Sequence, residues 1–396
     1  MSKICFIAII LVLSELAVAQ KPVAQSPLTY INSTWNLPAG GTTWAAHTSA
    51  QFSSALTHSS PGDIIALDAG VTYTGNFVLP AKANSNNKWI YIVGSSLLAN
   101  PTAGNVPSAL PPGVRVSPAD ASLMPKIATP NTIAALQFVG GTSHWRLAGL
   151  EVTSALTYGC QPTHTPPINC YSNLLIGPMS AVSPEPDSIT IDRCYIHGSP
   201  TMDLQRAVLG NASNFAVVDS YISDVHMTGV ETQGVAAWWT PGPLKIVNNY
   251  VSASIENIMI GGAGEPATPW VPSDIEIRNN YIFKALSWVV NSCCAIKNAF
   301  ELKSGQRVLF DGNTIENVWM NAQVGFAIQL TPRTSQSGDI AVVYDVAIHQ
   351  QRVQERIRRG EYHGEGRQLR HGILSELQKP GQRGPHRHRQ QPVHFL

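Results

Sequence analysis

The sequence predicts an all-β chain that folds as a single-stranded parallel β-helix, a solenoid in which each coil stacks on the previous one. Three observations support this prediction. A nine-residue motif returns five times, at residues 189–197, 215–223, 244–252, 275–283 and 308–316. Successive copies are 26, 29, 31 and 33 residues apart, which is within the period range of repeat arrays. No helical periodicity separates them.

Each copy has apolar residues two apart, which is the pattern of a strand with one buried face. The polar pair that follows is a bend, because Asn, Asp and Gly tolerate left-handed backbone and bond their own main chain. Stacked coils should align the second residue of each bend into a hydrogen-bonded ladder. The ladder positions are Cys194, Ser220, Asn249, Asn280 and Asn313. A β-sandwich also has many short strands, but its hairpins give no reason to repeat one bend at one register.

Composition favours one solenoid domain. The chain has 396 residues, of which 13% are charged and 44% hydrophobic, with 31 Gly and 28 Pro. This balance suits a loop-rich β-protein and argues against disorder for the body of the chain. The sequence contains no P-loop, dinucleotide fingerprint, nucleophile elbow or zinc-helix motif, which argues against the enzyme classes that depend on them.

The N-terminus has the features of a secretory signal. Lys3 precedes an apolar run at residues 4–13, and Ala17 and Ala19 form a small-residue cleavage site. The run is too short to span a membrane. We therefore expect a signal peptide at 1–19, a polar lead-in at 20–43, and a secreted or periplasmic protein with no membrane span.

Residues 44–56 are predicted to form a short helix with Phe52, Ala55 and Leu56 on one side. Residues 61–80 then read Pro-Gly-Asp, apolar strand, Asp-Ala-Gly, Tyr-Thr-Gly, apolar strand, Pro. This order resembles the opening coil of secreted β-helix proteins of the pectate-lyase-like superfamily. The resemblance implies a right-handed β-helix over residues 44–347, a helix covering the first coil, and an extracellular polysaccharide as partner. A cap of this kind protects an open strand edge.

Two insertions interrupt the early coils. Residues 95–132, rich in Pro, Gly and Ala, are predicted to be a surface loop. Cys160 and Cys170 flank a Pro-rich segment and are candidates for a disulfide in an oxidising compartment. Cys194 stands at a bend where the other copies have Ser or Asn, so we expect a buried thiol there.

The pattern changes after residue 347. His349, Gln350 and Gln351 stand where a bend with Asn is due, and residues 348–396 hold 10 Lys or Arg against 4 Asp or Glu. Three interpretations compete for this basic tail: a segment that binds nucleic acid or another acidic polymer, a disordered linker, or a shifted reading frame. We favour the third, because the codons of His-Gln-Gln-Arg read one base later can spell Ile-Asn-Asn. On that interpretation nucleic acid is not a partner.

A third strand should precede each motif copy, and in the proteins that the chain resembles this strand forms the floor of a substrate groove. The candidate strands are residues 207–209, 235–239, 258–260, 300–303 and 326–330. Alternate residues of a strand face opposite sides, so Glu301 and Lys303 should point outward while Phe300 and Leu302 point inward. The polar constellation expected on this face is Glu301, Lys303, Arg307, Gln329, Thr331 and Arg333.

These residue types suit a polysaccharide lyase, which must neutralise a uronate carboxylate, remove the proton beside it and protonate the leaving oxygen. Lys303 is the candidate base and Arg307 the candidate carboxylate clamp. A hydrolase would instead need a second carboxylate facing Glu301. Its possible partners are Glu231, Glu256 and Glu265. The structural alternative is a weak surface pair between Glu301 and Lys303.

Trp238 and Trp239 lie on the same strand of an earlier coil, so one ring should face outward and stack on sugars, unless both pack at the core ends. Glu256, Glu265 and the glycines between them are a candidate calcium site. Lyase cleavage of an acidic glycan is the leading functional prediction. A carbohydrate-binding or surface-adhesion protein and a glycoside hydrolase are the alternatives, since the fold alone does not decide among them.

Overall fold

The computed structural model describes residues 23–98, 109–156, 174–178, 180, 182–262, 271–288, 294–319, 321, 325–333 and 341–354, and two short strands at 373–374 and 394–395. The predicted signal peptide, the predicted disulfide of Cys160 and Cys170, and Glu265 lie outside these residues. None of the helices in the described part of the chain has the length and apolarity that a membrane span needs.

Three parallel sheets run along the described coils. Sheet A has eleven strands: Thr43–Ala46, Ile64–Leu67, Ile90–Gly94, Ser143–Ala148, Asp187–Asp192, Ser213–Val218, Leu244–Val247, Ser273–Arg278, Gly305–Asp311, Val343–His349 and His394–Phe395. Sheet B has nine: Thr72–Thr74, Lys126–Thr129, Glu151–Ser154, Tyr195–His197, Tyr221–Val225, Tyr250–Ala253, Tyr281–Phe283, Thr314–Glu316 and Arg352–Gln354. Sheet C has six: Arg206–Leu209, Gln233–Ala237, Glu256–Ile260, Phe300–Leu302, Ile328–Leu330 and Ile373–Leu374.

A pair of strands, Phe77–Leu79 and Leu136–Phe138, begins the face that sheet C continues. Ile176 forms single parallel bridges to Leu136 and to Val208, and so connects this pair to sheet C. From Asp187 onward each coil passes through sheets A, B and C in turn, and neighbouring strands of a sheet come from neighbouring coils. The fold is therefore a right-handed parallel β-helix, as the sequence predicted.

The bend between sheets A and B repeats one conformation. The first residues of five successive bends, with φ between 50° and 62°, are Arg193, Asp219, Asn248, Asn279 and Gly312. At the second position the N–H of Ser220 donates to Asn249 Oδ1, and that of Asn249 donates to Asn280 Oδ1, each at 2.9 Å. Asn280 donates likewise to Asn313 at 2.9 Å. The predicted ladder is confirmed, and Cys194 begins it as a free, buried thiol.

The inward side chains of the coils form one continuous core. One column, in register from coil to coil, consists of Ile189, Phe215, Leu244, Ile275, Val308 and Val346. These side chains are at most 2% exposed. Truncating a side chain in such a core typically costs about 2–5 kcal/mol, so the column contributes strongly to stability.

The helix Ser49–His58 covers the first coils. Its N-cap is Thr48, whose hydroxyl accepts a hydrogen bond from the N–H of Gln51 at 3.2 Å. Its buried residues are Phe52, Ala55 and Leu56, as predicted. The predicted range of 44–56 is wrong at its start, because Thr43–Ala46 is a sheet A strand that pairs with Ile64–Leu67.

Residues 95–132, predicted to be a surface loop, include the sheet B strand Lys126–Thr129, so this prediction is wrong at its C-terminal end. The strand forms because Ile127 joins the core while its backbone pairs with the sheet B strands on both sides. The insertion also contains 3-10 helices at Ser95–Leu97 and Pro118–Leu123. Arg115 fixes it to the A–B bends by donating from Nε to the carbonyl of Asn248 at 3.0 Å.

The N-terminal lead-in lies along the outer face of sheet A. The N–H of Leu28 donates to Asp274 Oδ1 at 2.8 Å, and Lys245 Nζ donates to the carbonyl of Ile31 at 3.0 Å. Asp274 belongs to a later coil than Lys245, so the lead-in crosses the coils in reverse order before it enters the first strand.

The coil pattern continues past the predicted domain end at residue 347. Gln350 has a φ of 54°, and Gln351 Oε1 accepts the N–H of Asn313 at 3.0 Å. Gln351 therefore takes the ladder position that Asn occupies in earlier coils, and Arg352–Gln354 joins sheet B. A shifted reading frame as the origin of the basic tail stays a prediction, which the nucleotide sequence of the gene decides.

Candidate functional site

One column of side chains lies in register across the outer face of sheet C: Leu209, Ala236, Met259, Glu301 and Gln329. The first three members are apolar and pack with Trp238 in a small cluster outside the main core. The column becomes polar at Glu301, whose strand neighbours Phe300 and Leu302 point into the core. The structure thus places Glu301 outward and beside Gln329, where the sequence predicted them.

A charged cluster lies at the start of the sheet C strands. Lys297 Nζ is 2.7 Å from Glu231 Oε1 and 3.2 Å from Glu256 Oε1. Glu256 also accepts a hydrogen bond from Gln233 Nε2 at 2.8 Å. Lys297 and Glu256 are buried, whereas the side chain of Glu231 is 51% exposed. One ammonium therefore joins a carboxylate at the surface to a carboxylate beneath it.

Burial and neighbouring charges shift the pKa values of this cluster. Burial raises the pKa of Glu256 to about 7; the charges of Glu231 and Glu301 act in the same direction, and Lys297 opposes them. Burial lowers the pKa of Lys297, but the carboxylates of Glu256 and Glu231 outweigh it and raise that pKa above its ordinary value. A carboxyl group with a pKa near the working pH is a common feature of acid–base catalysis.

Glu301 and Lys303 adjoin this cluster. Lys303 Nζ is 3.7 Å from Glu301 Oε1, and Asn298 Nδ2 donates to Glu301 Oε2 at 3.1 Å. The side chain of Lys303 is 15% exposed, and its backbone carbonyl accepts the N–H of Arg333 at 3.0 Å. The structure therefore brings together five of the predicted residues: Glu301, Lys303, Gln329, Thr331 and Arg333.

Arg206, the first residue of the first sheet C strand, adds a cation to the same face. Its guanidinium carbon lies 4.6 Å from the centroid of the Trp238 ring, a cation–π contact. Its Nε is buried without a hydrogen-bond partner in the described part of the chain. Burial lowers the pKa of Arg206 to about 10, against the attraction of Glu231 and Glu256. Trp238 and Trp239 follow the strand Gln233–Ala237, so the prediction that they lie on it is wrong. Trp239, half-buried, lies at 83° to Trp238 with 5.8 Å between ring centroids.

Arg307, the predicted carboxylate clamp, lies elsewhere. It belongs to the sheet A strand Gly305–Asp311, where its Nε donates to Asp274 Oδ1 at 2.7 Å and an Nη donates to Asp274 Oδ2 at 3.1 Å. These hydrogen bonds raise the pKa of Arg307. The chain turns from sheet C to sheet A between Lys303 and Arg307, so their closeness in sequence does not place them on one face.

The described residues do not assemble a calcium site. Among them, no group of three or more His, Cys, Asp or Glu side chains is arranged to hold a metal ion. The carboxylate of Glu256, a predicted ligand, is bound by Gln233 and Lys297 instead. An ammonium at a carboxylate disfavours a divalent cation there. We therefore derive no catalytic step through calcium.

Sequence reasoning missed Arg206 and Lys297. Arg206, Gln233 and Glu256 occupy one register position at the start of successive sheet C strands. The recurrence of a polar residue just before each apolar strand was the available signal for Arg206. Lys297 comes from the segment between a sheet B and a sheet C strand. This segment is not part of the repeated motif, so the repeat does not predict where Lys297 lies.

No protein-family model matches this chain, and no curated protein matches it. An alginate lyase from Paenibacillus sp. str. FPU-7 has a similar fold, with 16% identity and a TM-score of 0.40 over 79% of this chain and 99% of that one. Pectate lyase Pel9A has 13% identity and a TM-score of 0.43 over 80% and 77%. A Family 28 exopolygalacturonase of Yersinia enterocolitica has 14% identity and a TM-score of 0.38 over 77% and 62%. At these identities the likeness concerns the fold alone.

Proposed function

We propose that this protein binds an acidic, uronate-containing polysaccharide along the outer face of sheet C and cleaves it as a lyase. A uronate polymer carries repeated carboxylates, and a face that presents several cations complements it. The observation that carries the proposal is Arg206, a cation held on an aromatic ring rather than by a carboxylate among the described residues. Lys303 and the Glu231–Lys297–Glu256 cluster lie on the same face.

Lyase cleavage is a β-elimination. The C5 proton of the uronate leaves, the C4–O4 bond breaks, a C4=C5 double bond forms, and the leaving oxygen takes up a proton. The C5 proton becomes acidic only when the neighbouring carboxylate is neutralised. We assign this role to Arg206 in place of Arg307, because Asp274 already binds the guanidinium of Arg307 through two hydrogen bonds.

Lys303 is the proposed base. It accepts the C5 proton as the neutral amine and becomes an ammonium group, and its partly exposed side chain lies on the face proposed to bind the polymer. The proton for the leaving oxygen comes from the cluster of Glu231, Lys297 and Glu256. The pKa of about 7 at Glu256 allows this cluster to lose and regain a proton near neutral pH. Trp239 is proposed as the sugar-stacking ring, because Arg206 already lies over Trp238.

A glycoside hydrolase is the second candidate, because Glu231 and Glu256 contact the same ammonium group. Glycosidases use two carboxyl groups about 5–9 Å apart, with the sugar or a water molecule between them. Here Lys297 occupies the space between the two carboxylates. Because Lys297 fills this space, the geometry supports hydrolysis less well than lyase cleavage.

Incubation of the full chain with pectate, alginate and chondroitin-like polymers in oxygen-18 water separates these reactions. A lyase produces an ultraviolet-absorbing unsaturated uronate, and its products contain no oxygen-18. A hydrolase gives oxygen-18 in the new reducing end and no absorbance. Retention on a polysaccharide gel without any product would instead support a carbohydrate-binding or adhesion protein. The absence of both product and retention would refute the proposal.

A further inference from the structure

Lys284 is a fully buried lysine next to the candidate site. It directly follows the sheet B strand Tyr281–Phe283, and its side chain crosses to the corner between sheets B and C of the preceding coil. Four oxygen atoms surround its Nζ at 2.9–3.1 Å: the carbonyls of Ala253, Ser254 and Ile255, and Asn257 Oδ1. An ammonium group has three N–H donors, so these oxygens use its full donor capacity inside the protein.

The β-helix does not need a lysine at this place. In other coils, the residues three places after the start of the sheet B strand are Gly198, Asp224, Ala253 and Asn317. Small or turn-forming residues therefore close this corner elsewhere. A buried ammonium carries a large desolvation cost. Closure of the corner therefore does not explain why a lysine occupies this position.

The corner to which Lys284 is hydrogen-bonded is continuous in the chain with Glu256. Glu256 is the first residue of its sheet C strand, and Asn257 is the second. The carboxylate of Glu256 is bound by Lys297 and Gln233, while its charge also attracts the ammonium of Lys284. Lys297 thus contacts the buried carboxylate of Glu256 directly, whereas Lys284 binds Ile255 and Asn257, the residues on either side of Glu256.

We propose that Lys284 is a positioning residue, whose buried ammonium fixes the corner at 253–257 and thereby the place and charge of the Glu256 carboxylate. Its consequence for catalysis rests on the proposed function, whereas its effect on Glu256 does not. The charged groups that act on Glu256 or lie beside it are Lys284, Lys297, Arg206, Glu231 and Glu301. Burial lowers the pKa of Lys284 to about 7, and Glu256 opposes that shift.

Carbon-13 NMR of glutamate carboxyl groups tests this role without any substrate. The Glu256 signal is assigned by its loss in Glu256→Gln and titrated in Lys284→Met and in Lys284→Gln, which keeps N–H donors but no charge. Loss of the nearby cation should move the Glu256 midpoint upward by about one pH unit or more. Lys245→Met, at a half-buried lysine on sheet A, should not move it. An unchanged midpoint in the Lys284 variants would overturn the proposal.

A chemical rescue covers the case in which these variants fold poorly. Propylammonium has the atoms that Lys284→Ala removes, and tetramethylammonium is a cation without N–H donors. Propylammonium should raise the refolding yield and Tm of Lys284→Ala, but not those of the wild type, and tetramethylammonium should raise neither. If the two cations act alike on the variant, the oxygen cage does not require an ammonium and the proposal fails.

Activity then separates this inference from the proposed function. If the wild type cleaves a polymer, the pH profile of kcat in Lys284→Met should shift upward with the Glu256 midpoint while KM changes little. An unshifted profile would remove the positioning role and leave the lyase proposal standing. If the wild type cleaves nothing, the lyase proposal fails, and the titration and the rescue still decide the role of Lys284.

Discussion

Glu256 shows how the fold changes the chemistry of one residue. A glutamate in water loses its proton near pH 4.5, whereas burial raises the pKa of Glu256 to about 7. Glu231 and Glu301 add to this effect, and both come from other coils. From sequence alone Glu256 is one acidic residue near several glycines. Its burial and its neighbours become visible only once the register of the coils is known.

The pKa of Glu256 makes the stability of the fold depend on pH. Because the folded pKa of about 7 exceeds the ordinary value of 4.5, Glu256 contributes stability that is fully present below about pH 4.5 and is lost as the pH rises through about 7. The free energy of unfolding of the wild type should therefore fall relative to that of Glu256→Gln over this interval. Denaturant unfolding at several pH values measures the difference, and a pH-independent difference would contradict the assignment.

Lys303 allows a direct test of the proposed base. Lys303→Ala should lower kcat by about a hundredfold or more, since a general base typically contributes that much. Circular dichroism and Tm should stay near the wild-type values, because the side chain is partly exposed and only weakly paired. Lys88→Ala, at an exposed lysine between a turn and the strand Ile90–Gly94, is the matched control. Full activity in Lys303→Ala would remove Lys303 from the mechanism.

At the scale of elements, the A–B bend was readable from sequence because its signal is local. Two adjacent polar residues specify it, the first in left-handed backbone and the second in the ladder. Sheet C strands were also found at the five predicted places, but with different bounds. The charged first residues Arg206 and Glu256 fall outside the predicted ranges, and the strand predicted at 235–239 ends at Ala237. Corner segments of different length separate sheets B and C, so no fixed spacing marks where a sheet C strand begins.

The ladder should carry a measurable share of stability. Asn280 accepts the N–H of Asn249 at 2.9 Å and donates to the carbonyl of Ile246 at 2.8 Å. Asn280→Ala leaves these buried groups unpaired, so it should lower the free energy of unfolding by about 2–4 kcal/mol. Asn279→Gly, at the exposed neighbouring bend residue with a φ of 56°, should change it by about 0.5 kcal/mol or less. Equal losses in the two variants would show that the ladder does not hold the coils.

At the scale of the whole molecule, the lead-in ties together coils that are distant in sequence. The ring of Trp35 lies 4.2 Å from the guanidinium of Arg193 and 5.1 Å from that of Arg146. Both arginines are also bound to Asp192, at 2.7 Å and 2.9 Å. The sequence predicted a polar segment here but not its path, because each contact depends on a single side chain from a different coil.

Trp35→Ala should loosen this attachment. Loss of two cation–π contacts and of the partly buried ring should lower the free energy of unfolding by about 1–3 kcal/mol. Limited proteolysis followed by mass spectrometry should show faster cleavage within residues 28–42. Tyr30→Ala, at a ring that is 49% exposed, is the control and should leave the cleavage rate unchanged. Equal rates in the two variants would mean that Trp35 does not anchor the lead-in.

The central claim is that an acidic polysaccharide binds the sheet C face through Arg206. Affinity electrophoresis through a gel that contains a polyuronate measures this binding whether or not cleavage follows. We predict that the polymer retards the wild type and Arg307→Met equally, and that Arg206→Met migrates as in a gel without polymer. Retained binding in Arg206→Met together with lost binding in Arg307→Met would contradict the account, as would a wild-type protein that no acidic polymer retards.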